Sequence, residues 1–184
     1  SCPDKKCRLF KKKNKCERPQ TSGKTLHLLN LKDGATESIH AVVDFQLDPS
    51  GNTLVYTTSL QGKSDTLSMH MLSFQSFQTK NIMSGQLAFK HITFDDKGER
   101  LVFLHSADTN ERKNFRFSYW DMANGNTHII GDTLSPKMPA GMNISAFYRP
   151  SFSRDGSRVF YGIAPIVEKE AKDTLLDSEK ATLD

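Results

Sequence analysis

Four stretches of the chain repeat one turn-then-strand phrase: CPDKKCRLF (2–10), LDPSGNTLVY (47–56), FDDKGERLVF (94–103) and FSRDGSRVFY (152–161). Their aromatic ends, Phe10, Tyr56, Phe103 and Tyr161, lie 46, 47 and 58 residues apart. A second phrase alternates with the first: LLNLKDGAT (28–36), MLSFQSFQT (71–79) and YWDMANGNT (119–127). Its centres, Asn30, Ser73 and Asp121, are 43 and 48 residues apart. A strand-built repeat of about 45 residues is what the blades of a β-propeller produce. One blade cannot bury both of its faces alone, so the repeats must stack. The period therefore predicts an all-β chain of four-stranded antiparallel meanders.

The residues in the phrases give the reason for each turn. Ser50-Gly51, Lys97-Gly98 and Asp155-Gly156 place glycine where a compact turn needs positive φ. Asp4-Lys5 holds that place in the first copy without a glycine. Short strands are predicted ahead of the later turns, at Val42–Leu47, Lys90–Phe94 and Tyr148–Phe152. The triplets after them, Leu54-Val55-Tyr56, Leu101-Val102-Phe103 and Val159-Phe160-Tyr161, read as strands covered on both faces. In the second phrase, strands before and after the turn are predicted at Leu26–Leu31 and Thr36–Ile39, Leu67–Phe74 and Gln78–Ile82, and Phe115–Met122 and Thr127–Ile130. Gly34 and Gly125 correspond there, and Phe77 replaces glycine in the middle copy.

Interleaving the phrases gives a β-propeller fragment of about three and a half four-stranded blades. Blade one (1–40) lacks its first strand, blade two spans 41–83, blade three 88–131, and blade four begins within 144–184. Asp132–Ala146, with Pro136, Pro139 and Gly141, reads as an inserted loop, and Pro165 to Asp184 as a long exposed connection. Propellers close with about four to eight blades. The 184 residues thus look like part of a longer chain, and alone they should expose sheet edges and self-associate.

Composition agrees with short strands that are polar outside: 36% of residues are hydrophobic. No apolar run approaches the ~18–20 residues of a membrane-spanning helix, so no membrane insertion is expected. The net charge of +4 is uneven, since residues 1–24 carry nine Lys or Arg against Asp4 and Glu17. The block Lys5, Lys6, Arg8, Lys11, Lys12, Lys13, Lys15 and Arg18 has no aromatic residue after Phe10 on which bases could stack. It reads as a solvated loop between strands rather than a nucleic-acid contact. Cys2, Cys7 and Cys16 fit no zinc spacing. In an oxidising compartment Cys7 and Cys16 could bridge a strand and its loop, and an odd count leaves at least one thiol unpaired.

The phrases YRPSFSRDGSRVFYGIAP and HITFDDKGERLVFLHS resemble the TolB-like, or PD40, class of propeller repeat. The stretch from Ser145 to Asp184 is most similar to the N-terminal propeller of prolyl oligopeptidase (S9) family serine peptidases of Bacteroidetes-like bacteria. In that family the propeller caps an α/β-hydrolase domain that carries the Ser, Asp and His triad. The resemblance implies a non-catalytic propeller that gates peptide substrates on their way to a downstream hydrolase domain of the same parent chain. A TolB-like protein-binding scaffold of the cell envelope is the alternative. Either implies a periplasmic or envelope location. Some S9 members hold a peptide amino terminus with paired glutamates; Glu168 and Glu170 do not match that motif, and no role passes to them.

No catalytic, cofactor-binding or metal site is assigned from the residues themselves. The nucleophile elbow GxSxG is missing, because Ser22-Gly23 and Ser84-Gly85 lack the preceding glycine. His27, His40, His70, His91, His105 and His128 show no metal spacing. His27 and His70 occupy corresponding places in successive blades and read as polar alternation on half-buried strands. His105 with Ser106 and Asp108 matches a triad only by composition, and triads are defined by geometry. Asp95-Asp96 lacks the ligand spacing of a calcium loop and reads as turn chemistry. Trp120, where other copies carry Leu29 and Leu72, reads as core.

Overall fold

A computed structural model describes residues 23–59, 67–108 and 113–166. The described residues form strands and turns, with no helix among them. In chain order the strands are β1 (Lys24–Leu29), β2 (Thr36–Leu47), β3 (Thr53–Ser59), β4 (Leu67–Ser73), β5 (Gln78–Gly85), β6 (Ala88–Phe94) and β7 (Arg100–Ser106). There follow β8 (Arg116–Asp121), β9 (Asn126–Gly131), β10 (Met142–Ile144), β11 (Ser151–Phe152), β12 (Val159–Phe160) and β13 (Ile163–Pro165). Strands β1 to β5 make one antiparallel sheet in sequence order, and β6 to β9 a second. The third unit consists of two pairs, β10 with β13 and β11 with β12. The result is an open array of propeller blades.

The turns follow one chemical rule. Asp48, Asp95 and Ser153 open the first-phrase turn, and three residues on the amides of Gly51, Gly98 and Gly156 donate to their carbonyls. Each glycine has φ of 70–72°. The opening side chain closes the other side: Asp48 Oδ1 accepts the Thr53 amide at 2.8 Å. Asp95 Oδ1 accepts the Glu99 and Arg100 amides at 2.9 and 3.1 Å, and Ser153 Oγ accepts the Arg158 amide at 2.9 Å. In the second-phrase turn Gly34 and Gly125 stand at φ 74° and 67°, and Phe77 holds the same left-handed backbone at 52°.

The apolar triplets serve two cores at once, because successive strand residues face opposite ways. Leu54 and Tyr56 pack with Val42, Leu72, Leu26, Leu28 and Ile39 on one side of the first sheet. Val55 and Met69, on its other side, meet Leu101, Phe103, Trp120 and Ile92 of the second sheet. Val102 and Leu104 face on to the third unit with Phe115, Phe117 and Ile144. The third triplet departs from the expectation of two covered faces. Val159 packs on that last core, and the Tyr161 ring lies 5.0 Å from Phe117. Phe160 remains 52% exposed where Val55 and Val102 are wholly buried, because no further sheet lies on its side among the described residues.

Two other expectations are corrected. Thr36–Ile39 and Val42–Leu47 are a single strand, β2, which pairs with β1 through Val42 and with β3 from Val42 onward. The turn in direction is made inside it at Ala41, with φ 58°. A Cβ on Gly23 would run into the Ala41 carbonyl, so that approach requires glycine. The inserted loop Asp132–Ala146 contains strand β10, whose Ile144 is 4% exposed and bridges Phe115. The Cys2, Cys7 and Cys16 thiols, the basic block and Glu168 and Glu170 lie outside the described residues.

Candidate functional site

The opening strand of each blade is where the units converge. Strands β2 and β6 approach one another across the two sheets, and Arg149, just before β11, reaches both. Four residues ahead of each turn-opening residue stand Asp44, His91 and Arg149. These three share one repeat position and line one cavity of about 110 Å³ with Phe45, Gln46 and Ile92.

Arg149 is held by three neutral acceptors. Its Nε donates to Thr93 Oγ1 at 3.2 Å, and its Nη2 donates to Gln46 Oε1 at 3.0 Å and to the Ile92 carbonyl at 2.9 Å. One guanidinium thus links the third unit to both sheets. His91 adopts φ 56° within a bulge of β6, and its Nε2 donates to the Ala146 carbonyl at 2.7 Å. Thr93 Oγ1 donates to the His91 carbonyl at 3.3 Å. Asp44 caps its own neighbour, accepting the Phe45 amide at 2.8 Å. A non-glycine residue in left-handed backbone costs on the order of 1–3 kcal/mol, and such strain clusters at functional sites. Sequence reasoning passed over Asp44 and Arg149, although counting back from the turn residue in each copy brings the three together.

The other candidates behave as structural residues. Ser106 and Asp108 do not complete a triad with His105: the Ser106 hydroxyl accepts the Asp108 amide at 3.1 Å. The His105 ring instead pairs with Ser118 Oγ at 3.1 Å, and Ser118 is fully buried. Burial first, and the nearby Arg116 charge second, push the His105 imidazole below its ordinary pKa. His70 stacks on Tyr56 at 5.2 Å, and burial lowers its pKa too. His27 shares a 2.8 Å hydrogen bond with Ser38 Oγ, and His40 one of 3.3 Å with Thr25 Oγ1. Both pairs lie on exposed strand surface and so lack an enclosed reaction site. His27 and His70 each bind their own strand neighbours and form no row. His128 is exposed on β9.

Asp95 is 1% exposed and spends Oδ1 on its own turn, while its Oδ2 is buried without a hydrogen-bond partner among the described residues. Trp120 is core at 3% exposure, with Lys80 Nζ 5.1 Å from its ring centroid. Among the described residues no group of three His, Cys, Asp or Glu could hold a metal ion. A second cavity of about 200 Å³ lies between the β7–β8 connection and the stretch after β9, lined by residues including Ser106, Asn114, Arg116 and Asp132.

No family model matches the chain, and no curated protein sequence matches it. Solved structures do. The tricorn protease aligns with TM-score 0.50 at 12% identity, covering 77% of this chain and 13% of that one. The β-propeller domain of the trilobed protease from Pyrococcus furiosus aligns with TM-score 0.47 at 13% identity, over 56% of this chain and 33% of that one. TolB from Acinetobacter baumannii aligns with TM-score 0.40 at 19% identity, over 76% and 35%. The chain spans well under half the length of each. At these identities the likeness is one of fold, carried by the tricorn match, and it agrees with the TolB-like and S9 propeller resemblance of the repeat phrases. The chain is a β-propeller scaffold.

Proposed function

We propose that this scaffold is the non-catalytic propeller portion of an S9-like serine peptidase. It gates peptide access to a hydrolase domain supplied by the rest of the parent polypeptide. The observation that supports the reading most directly is the polar cavity at Asp44, His91 and Arg149, where the opening strands of three units converge. A passage for peptides needs polar groups that meet main-chain N–H and C=O, and it needs no nucleophile of its own. The two Ser–His hydrogen bonds do not supply one: Ser118 is sealed in the core, and Ser38 sits on open strand surface.

Two measurements test this. The purified 184-residue chain should resist serine-directed fluorophosphonate labelling and leave Pro- and Ala-linked peptides intact. Labelling at Ser38 or Ser118 would overturn it. The parent polypeptide should carry GxSxG in a strand–turn–helix setting downstream. Loosening its blades should speed cleavage of long peptides relative to short ones. A parent without that motif points instead to a TolB-like binding scaffold.

A further inference from the structure

The geometry points to a carboxylate-binding site at Arg149 that takes the carboxy-terminal residue of a peptide. The inference rests on reading the converging strands as a peptide passage, and it names the group recognised there. Arg149 is an exposed cation whose orientation is set by three hydrogen bonds, all to neutral oxygens. Among the described residues no carboxylate pairs with it, and Nη1 makes none of those bonds. With the Nε hydrogen and both Nη2 hydrogens engaged, the two Nη1 N–H groups remain to donate, and charge-assisted donors fixed in direction match a carboxylate oxygen.

The remaining walls narrow the ligand. Asp44 lines the same cavity, so a simple anion would be repelled there. A carboxy-terminal residue carries its carboxylate and its amide N–H on the same Cα, so it can offer the anion to Arg149 and the donor to Asp44. The cavity wall is almost wholly polar, which suits a small side chain such as that of Gly or Ala, and about 110 Å³ suits one residue rather than a length of chain. His91 is tied to the Ala146 carbonyl; its strained backbone at φ 56° holds the wall in place.

The test is a calorimetric titration of the 184-residue chain with N-acetyl-Gly-Ala-Ala, its C-terminal carboxamide, and acetate. The free acid should bind at least about tenfold more tightly than the amide, the loss expected on replacing a charge-assisted hydrogen bond with a neutral one. Acetate should also bind about tenfold more weakly, since it offers Asp44 no donor. Arg149→Lys should lose about tenfold, because an ammonium cannot keep the three anchoring bonds and still present a donor to the ligand. Thr93→Val keeps the charge but removes one of the three bonds that orient the guanidinium, and should weaken binding several-fold, so it carries the test if Arg149→Lys fails to fold. Equal binding of acid and amide overturns the carboxylate site and leaves a peptide passage standing. Equal binding of acetate overturns the Asp44 contact, and no binding by any ligand overturns the site. Serine labelling of the chain would sink the wider reading without touching this one.

Discussion

Phe77 shows how far a single residue can be read. The sequence alignment of the second phrase places it where Gly34 and Gly125 stand, and its backbone takes the same left-handed form. That conformation costs a non-glycine residue roughly 1–2 kcal/mol. Its ring is 58% exposed and meets Phe74 edge-on at 6.4 Å, a small compensation. Phe77→Gly should therefore raise stability, by about 0.5 kcal/mol after the entropy cost of glycine, seen as a higher urea midpoint. Gly125→Ala should lower it, since a Cβ there meets Lys80 Nζ as well as positive φ. Acid acts on other residues. Burial lowers the folded pKa of His70 and His105 from 6.5. A histidine favoured neutral in the fold contributes stability above its unfolded pKa and loses it as pH falls below about 6.5. Stability should thus drop between pH 7 and pH 5, and His105→Gln should flatten that slope in chemical denaturation. Asp155, held to about 2 by the Ser153 and Ser157 hydroxyls, contributes a pH dependence only below about 4.

At the scale of the element, the turns were legible and the bends were not. Glycine after Ser50, Lys97 and Asp155 announces a turn because the conformation demands it. Ala41 bends β2 with φ 58°, and nothing in an alanine announces that. Met142–Ile144 is too short to read as a strand by alternation; its partner Ile163–Pro165 fixes it only in three dimensions. Asp44, His91 and Arg149 have no common chemistry, so no motif search joins them; their shared repeat position does. The copies also differ in a way that predicts an effect. Ser50 donates to Asp48 Oδ2, whereas Lys97 stands in that place beside Asp95, whose Oδ2 lacks a partner. Lys97→Ser should supply the missing donor and stabilise the second sheet by about 1 kcal/mol, measurable as a raised thermal midpoint.

At the scale of the molecule, the second sheet buries one face on the first sheet and the other on the third unit. Among the described residues the last such position is Phe160, whose exposure of 52% contrasts with none at Val55 and Val102. A second copy of the chain is the occupant expected to cover that face in concentrated solution. Phe160→Ser should shift light-scattering mass toward the monomer at a given concentration while leaving the circular dichroism spectrum unchanged. A mass that does not respond to the substitution would place association elsewhere, such as on an exposed blade edge.

Stacked repeats that touch only their neighbours lose structure from an end, one unit at a time. Arg149 breaks that pattern, since its bond to Gln46 skips the intervening sheet and spans 103 residues of chain. Pulled or heated, the first and third units therefore share a bond that must break before either is released from the other. The group that lines the cavity thus also adds a coupling between units that are not neighbours in the stack.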